Sequence, residues 1–132
     1  MIRPAFRLAS LAAALAAVAA TAAPAAAETA QDVYVRYHSA IYAADACTDY
    51  RLIQVGEDDE DAVWIGQAQD NMGAYIDAQV GGAVGAGERL HLIERAKGET
   101  DAYIGDHGCE DPQVVELLAI FDRELEPLLP PR

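Results

Sequence analysis

The chain is short of positive charge, of aromatic rings and of sulfur: its 132 residues carry 9 Lys and Arg against 22 Asp and Glu, with 7% aromatics and 2 Cys. A net charge of -13 excludes a protein that works by neutralising phosphates, because nucleic-acid binding rests on Lys and Arg releasing counterions. An anionic membrane surface repels it for the same reason. Catalytic signatures are missing too. There is no G-x-S-x-G, Ser-x-x-Lys or H-E-x-x-H, and the only serine beyond the N-terminal segment is Ser39. Ser39 follows His38 directly, and adjacent residues on a helix point in different directions, so the two form no dyad. The absence of C-x-x-C and C-x-x-C-H excludes a vicinal redox pair and a c-type haem. The glycines at 81, 82, 85 and 87 lack both the G-x-G-x-x-G spacing and a preceding strand, which excludes a dinucleotide fingerprint. The expectation is a protein with no catalytic residues and no cofactor.

What is present begins with an address. Arg3 and Arg7 precede an apolar, alanine-dominated run, Pro24 breaks it, and Ala25, Ala26 and Ala27 supply a small-residue cleavage site. Residues 1–27 therefore read as a cleaved signal peptide. A spanning helix needs about 20 strongly apolar residues, and this run is shorter and mostly alanine. No Cys follows it for lipidation and no twin-Arg pair precedes it, so general secretory export to the periplasm or the exterior is the simpler route. Loss of the leader removes two arginines, so residues 28–132 carry 7 basic against 22 acidic groups and a net charge of -15. So small and so charged a chain resists compaction and needs a staple. Cys47 and Cys109 provide one, since exported thiols oxidise and an even count pairs by default. Closing a loop of about 60 residues restricts the unfolded chain by on the order of 4 kcal/mol.

Apolar periodicity is helical nearly throughout and shows no sustained alternation. Val33, Tyr37, Ile41 and Ala44 share one face of a helix from about Ala30 to Cys47, with Thr29 and Asp32 as its capping pair. A second helix follows the acidic run 57–61, with Val63, Trp64, Ala68, Met72, Tyr75, Ile76 and Val80 as its stripe, and the glycines from 81 end it. A third runs from near Glu88, carrying Leu90, Ile93, Ala96, Tyr103 and Ile104, to Gly108. A fourth opens with Asp111 as N-cap and Pro112 in first position, buries Val114, Val115, Leu118, Phe121 and Leu125, and stops at Pro127. The reading is an all-α, small up-down four-helix bundle with one disulfide: a single domain over 28–127 and a frayed, disordered tail at 128–132. Up-down order brings the ends of the first and third helices together, which is what a bond between Cys47 and Cys109 requires.

Three constellations are candidate sites. Tyr34, His38 and Tyr42 recur at i+4 steps on the first helix, where rings with directional hydroxyls could line a small-ligand pocket; the blander reading places them at a wet core margin. Glu88-x-x-His91 has the i, i+3 spacing of di-iron helices, but neither His38 nor His107 repeats it, and His91 lies beside Glu94 and Arg95 on a polar face. The run 57–61 lacks the alternating ligands and glycine of a calcium loop and reads as a solvated acidic turn favoured by the helix dipole. His107 reads as a helix-end residue. Together these point to an exported, non-enzymatic binding or interaction module of the cell envelope or periplasm that meets a cationic protein or a small ligand, with no nucleic acid and no membrane among its partners. The alternative is a metal-binding protein using carboxylates with Glu88 and His91.

Overall fold

The structure, a computed structural model, describes residues 27–132, so the leader expected at 1–27 lies, apart from Ala27, outside the described residues. Within them every regular element is helical: α1 (Ala30–Cys47), α2 (Ala62–Val80), α3 (Ala86–His107) and α4 (Pro112–Ile120). Cys47 and Cys109 are joined in a disulfide. The chain is all-α with one disulfide.

The helix ends follow from local chemistry. Thr29 accepts the Asp32 N–H at 3.1 Å and the Asp32 carboxylate accepts the Thr29 N–H at 3.4 Å, a reciprocal cap that satisfies two donors of the first turn of α1. Gly81 ends α2 in the left-handed region, φ 60°, and Gly82 follows at φ 83°, conformations that a side chain disfavours. Asp111 accepts the Gln113 N–H at 2.9 Å at the start of α4, with Pro112 behind it. Helix α3 opens at Ala86, two residues before the expected Glu88, with Gly85 as its cap.

α1 is the shared helix. It packs against α2, α3 and α4, most extensively against α3, and buries Tyr34, Tyr37 and Ile41 together with Ala40, Ala43 and Ala44. The alanines keep the neighbouring helix close. Ile65, Ala68, Met72, Ile76 and Val80 form the inner face of α2, while Phe121 and Leu125 complete the core from the C-terminal side. Two fully buried residues, Leu52 and Val84, come from the connecting segments. Leu52 is fixed there because its N–H donates to the Asp45 carboxylate at 2.9 Å and its carbonyl accepts from the Gln69 amide at 2.8 Å.

Several expectations need correction. Val63 is 77% exposed, because the inner face of α2 is set by Ile65 and Val63 lies two positions off it. Val115 is exposed while its neighbour Val114 is buried. Leu90 is 62% exposed; at that turn of α3 it is Arg89 that is drawn inward, paired with Asp77 of α2 at 3.1 Å. Trp64, Tyr75, Ile93 and Leu118 are partly buried against the core rather than inside it, whereas Ala68, Met72, Ile76, Val80, Ala96, Val114, Phe121 and Leu125 of the expected stripes are enclosed or nearly so. The acidic run is not uniformly solvated. The Asp59 side chain is only 2% exposed, where it accepts the N–H groups of Val55 and Asp61 and pairs with Arg51 at 2.6 Å. Those backbone hydrogen bonds, with Arg51 adding to them, hold its carboxyl below the usual range.

The C-terminal end departs furthest from expectation. The α-helix gives way to a π-helical turn (Phe121–Leu125) and a 3₁₀ turn (Glu126–Leu128). Residues 128–132 do not fray: Asn71 donates to the Leu128 carbonyl at 3.0 Å, the Trp64 indole donates to the Pro130 carbonyl at 3.0 Å, and the Arg132 guanidinium stands 4.1 Å from the Trp64 ring centre. Side chains of α2 capture main-chain carbonyls there, a kind of contact invisible to hydrophobic patterning.

The π-helical turn also carries Glu124, whose Oε1 accepts from the Tyr37 hydroxyl at 2.8 Å and the Tyr75 hydroxyl at 2.9 Å. Burial alone would raise the Glu124 carboxyl, but the hydrogen bonds from Tyr37, Tyr75 and Arg123 outweigh it and hold it below its ordinary value. A depressed carboxyl stabilises the fold above the unfolded pKa and loses that contribution as pH falls through the folded one. Glu124→Ala is expected to cost about 1–2 kcal/mol in urea unfolding at neutral pH, with Glu124→Gln retaining part of it. The gap between wild type and Glu124→Ala should narrow as the medium is acidified below the carboxylate range.

Candidate functional site

Two i+4 stripes face one another across the α1–α2 groove. Tyr34, His38 and Tyr42 come from α1, and Gln69, Gly73 and Asp77 come from α2. Ile41, Ile53 and Ile93 close the space between them, the last from α3, leaving a cavity of about 270 Å³. All three ligand-facing residues read from the sequence therefore line one pocket. The other stripe was missed: Gln69, Gly73 and Asp77 recur at i+4 steps, but they differ in type and lie among other polar residues of α2.

Tyrosine hydroxyls distinguish this pocket from the rest of the molecule. Four of the 6 tyrosines donate to carboxylates: Tyr37 and Tyr75 to Glu124, Tyr50 to Glu126 at 2.7 Å, and Tyr103 to Asp111 at 2.8 Å. The remaining two, Tyr34 and Tyr42, donate to no group among the described residues, and both line the cavity. Burial raises both hydroxyls, with Asp77 adding to the effect at Tyr34.

His38 stacks obliquely on Tyr34, ring centres 4.6 Å apart, and its Nε2 is buried without a hydrogen-bond partner. Burial disfavours the imidazolium and lowers its pKa to about 4, against a smaller opposing pull from Asp77. At neutral pH the wall therefore presents a neutral imidazole. Asp77 is bonded to Arg89, and both side chains are partly exposed at the rim. The lining offers aromatic faces, one carboxylate and the unpartnered His38 nitrogen.

The other candidates are not assembled. Glu88 and His91 are exposed on the first turns of α3, and among the described residues no group of three or more His, Cys, Asp or Glu could hold a metal ion. His107 is exposed at the end of α3, its Nδ1 3.9 Å from Asp111 and its ring against Tyr103. A shallower depression of about 430 Å³ on the opposite side of α1 is edged by Arg36, Ser39, Thr100 and Tyr103.

The sign of the His38 effect is testable. Below the ordinary histidine pKa the unfolded chain takes up a proton that the folded one refuses, so stability falls as pH drops from about 6.5 to 4, by on the order of 3 kcal/mol if the whole shift is realised. Imidazole resonances of His38 should stay constant from neutral pH to about 5 and titrate near 4. A midpoint at the ordinary histidine value would show that the ring is solvated.

No family model, no curated protein and no solved structure matches this chain.

Proposed function

We propose that this is an exported, non-enzymatic binding module of the cell envelope or periplasm, with its ligand site in the pocket between α1, α2 and α3. One observation carries the reading: the buried Nε2 of His38, which has no hydrogen-bond partner among the described residues, belongs to the cavity wall between Tyr34 and Tyr42, whose hydroxyls also donate to no group there. Buried polar groups are ordinarily satisfied, and where they are not, a ligand or water completes them. Export is supported by the leader pattern and by the disulfide, which suits an oxidising compartment. No helix among the described residues is long and apolar enough to cross a membrane. An up-down order is supported by the C-terminal ends of α1 and α3 meeting at the disulfide, while Asp77, late in α2, stands close enough to Tyr34, early in α1, to perturb its titration. The net charge of -15 on residues 28–132 favours fast encounter with cationic molecules. A metal-binding reading would rest on Glu88 and His91, and no observation favours it.

Gly73 provides the test, because a side chain added there meets nothing within 4 Å and would enter the cavity. Gly73→Leu is expected to fill the pocket and abolish small-ligand binding, while the protein melts at or above the wild-type temperature, since replacing a mid-helix glycine gains roughly 0.5–1 kcal/mol of helix propensity. The readout is a fragment screen by NMR, in which wild-type shifts concentrate on the residues of the two stripes. Ligand binding that persists in Gly73→Leu would remove the pocket from the argument. Export has its own check: native material from the exported fraction should begin at Glu28 and show no free thiol on alkylation.

A further inference from the structure

We infer that this pocket selects a small organic cation with an apolar body, a substituted amine or quaternary ammonium. The inference rests on the binding reading above and names its ligand class. Charge is the first argument. Three carboxylates act on the pocket's ionisable walls, Asp77 on Tyr34 and His38, and Asp45 and Asp101 on Tyr42. Two cations oppose them, and each is already paired: Arg89 with Asp77, and Lys97 with Asp101 at 2.7 Å. Asp45 has no cationic partner, since it is engaged by the Leu52 and Ile53 N–H groups at 2.9 and 3.2 Å. With His38 held neutral by burial, no cationic residue lines the cavity itself, whereas one carboxylate, Asp77, does.

The chemistry of the walls is the second argument. Tyrosine rings present a negative face that attracts ammonium groups, most strongly where water is displaced. The Lys97 ammonium, which does not line the cavity, stands 5.8 Å from the centre of the Tyr42 ring and shows the same kind of attraction within the molecule. Ile41, Ile53 and Ile93 supply the apolar complement for the carbon body of such a ligand. Asp77 can be shared with it at little cost, because its bridge to Arg89 is partly exposed and screened, and such bridges contribute little net stability. A carboxylate ligand would meet the opposite conditions, because the one charged residue lining the cavity, Asp77, would repel it.

The experiment compares three probes with one shape: choline, its neutral isostere with carbon in place of the ammonium nitrogen, and tert-butylacetate, the anion with the same tert-butyl body. Each is titrated into the disulfide-bonded wild-type chain and followed by the methyl resonances of Ile41, Ile53 and Ile93. Choline is expected to shift these signals saturably and to bind about tenfold more tightly than the neutral isostere. Asp77→Asn should weaken choline about fivefold while leaving the isostere unchanged, whereas a merely structural role for Asp77 would weaken both alike. If the isostere or the anion binds the same residues as tightly as choline, the cation inference is overturned and the pocket reading stands. If none of the three moves these signals, both are overturned.

Discussion

A chain with 22 carboxylates and 7 basic groups in residues 28–132 has much charge to keep apart, and its helices bury their apolar faces in one common core. They share α1. That helix is enclosed along much of its length and is the one to which α2, α3 and the C-terminal segment all attach. Its buried alanines leave room for neighbouring helices, its Tyr37 hydroxyl donates to the Glu124 carboxylate, and its last residue, Cys47, is bonded to Cys109 across 62 positions of sequence. The disulfide anchors the end of α1 to the end of α3 and restricts the unfolded chain.

Because the charge is so one-sided, carboxylates themselves have become the fastenings. Glu124, Glu126 and Asp111 accept from tyrosines, Asp45 and Asp59 accept from backbone N–H groups of the segment between α1 and α2, and few of the stabilising contacts need a lysine. An acidic protein gains from this arrangement, since neutral donors share the work of holding carboxylates such as Asp59 and Glu124 with the few arginines that also reach them. It also ties stability to pH in a definite direction. The Glu124, Asp59 and Asp111 carboxyls are all held low, so acid withdraws several fastenings within one range of pH.

The parts of this fold that were legible in the sequence are those governed by local rules. Thr29 with Asp32, the glycine pair at 81 and 82, and Asp111 with Pro112 mark helix ends because capping depends on a few adjacent residues. The pairing of Cys47 with Cys109 followed from compartment and count. Tertiary features were less legible. Leu52 and Val84 are buried from loops, where no periodicity announces them; Val63 and Leu90 are apolar yet face out; and the tail at 128–132 is held through its carbonyls. At the pocket, one wall was readable as Tyr34, His38 and Tyr42. The facing wall of Gln69, Gly73 and Asp77 was not, because its residues differ in type and only the packing of α2 on α1 makes them a set.

The six tyrosines divide by what they do for the fold. Tyr37, Tyr50, Tyr75 and Tyr103 spend their hydroxyls on holding segments together. Tyr34 and Tyr42 do not, though they lie on the same helix as Tyr37 and one or two turns from it. Around them the chain also retains a glycine in the middle of α2 and a histidine that must stay neutral to remain buried, both of which lower stability. Four departures from the most stable choice within one cavity are hard to attribute to packing, because filling the space with a leucine and pairing the hydroxyls would serve packing better. They are intelligible together as the conditions of an aromatic pocket lined by one carboxylate, whose stability deficit is offset beside it by the Glu124 clasp and at the end of α1 by the disulfide.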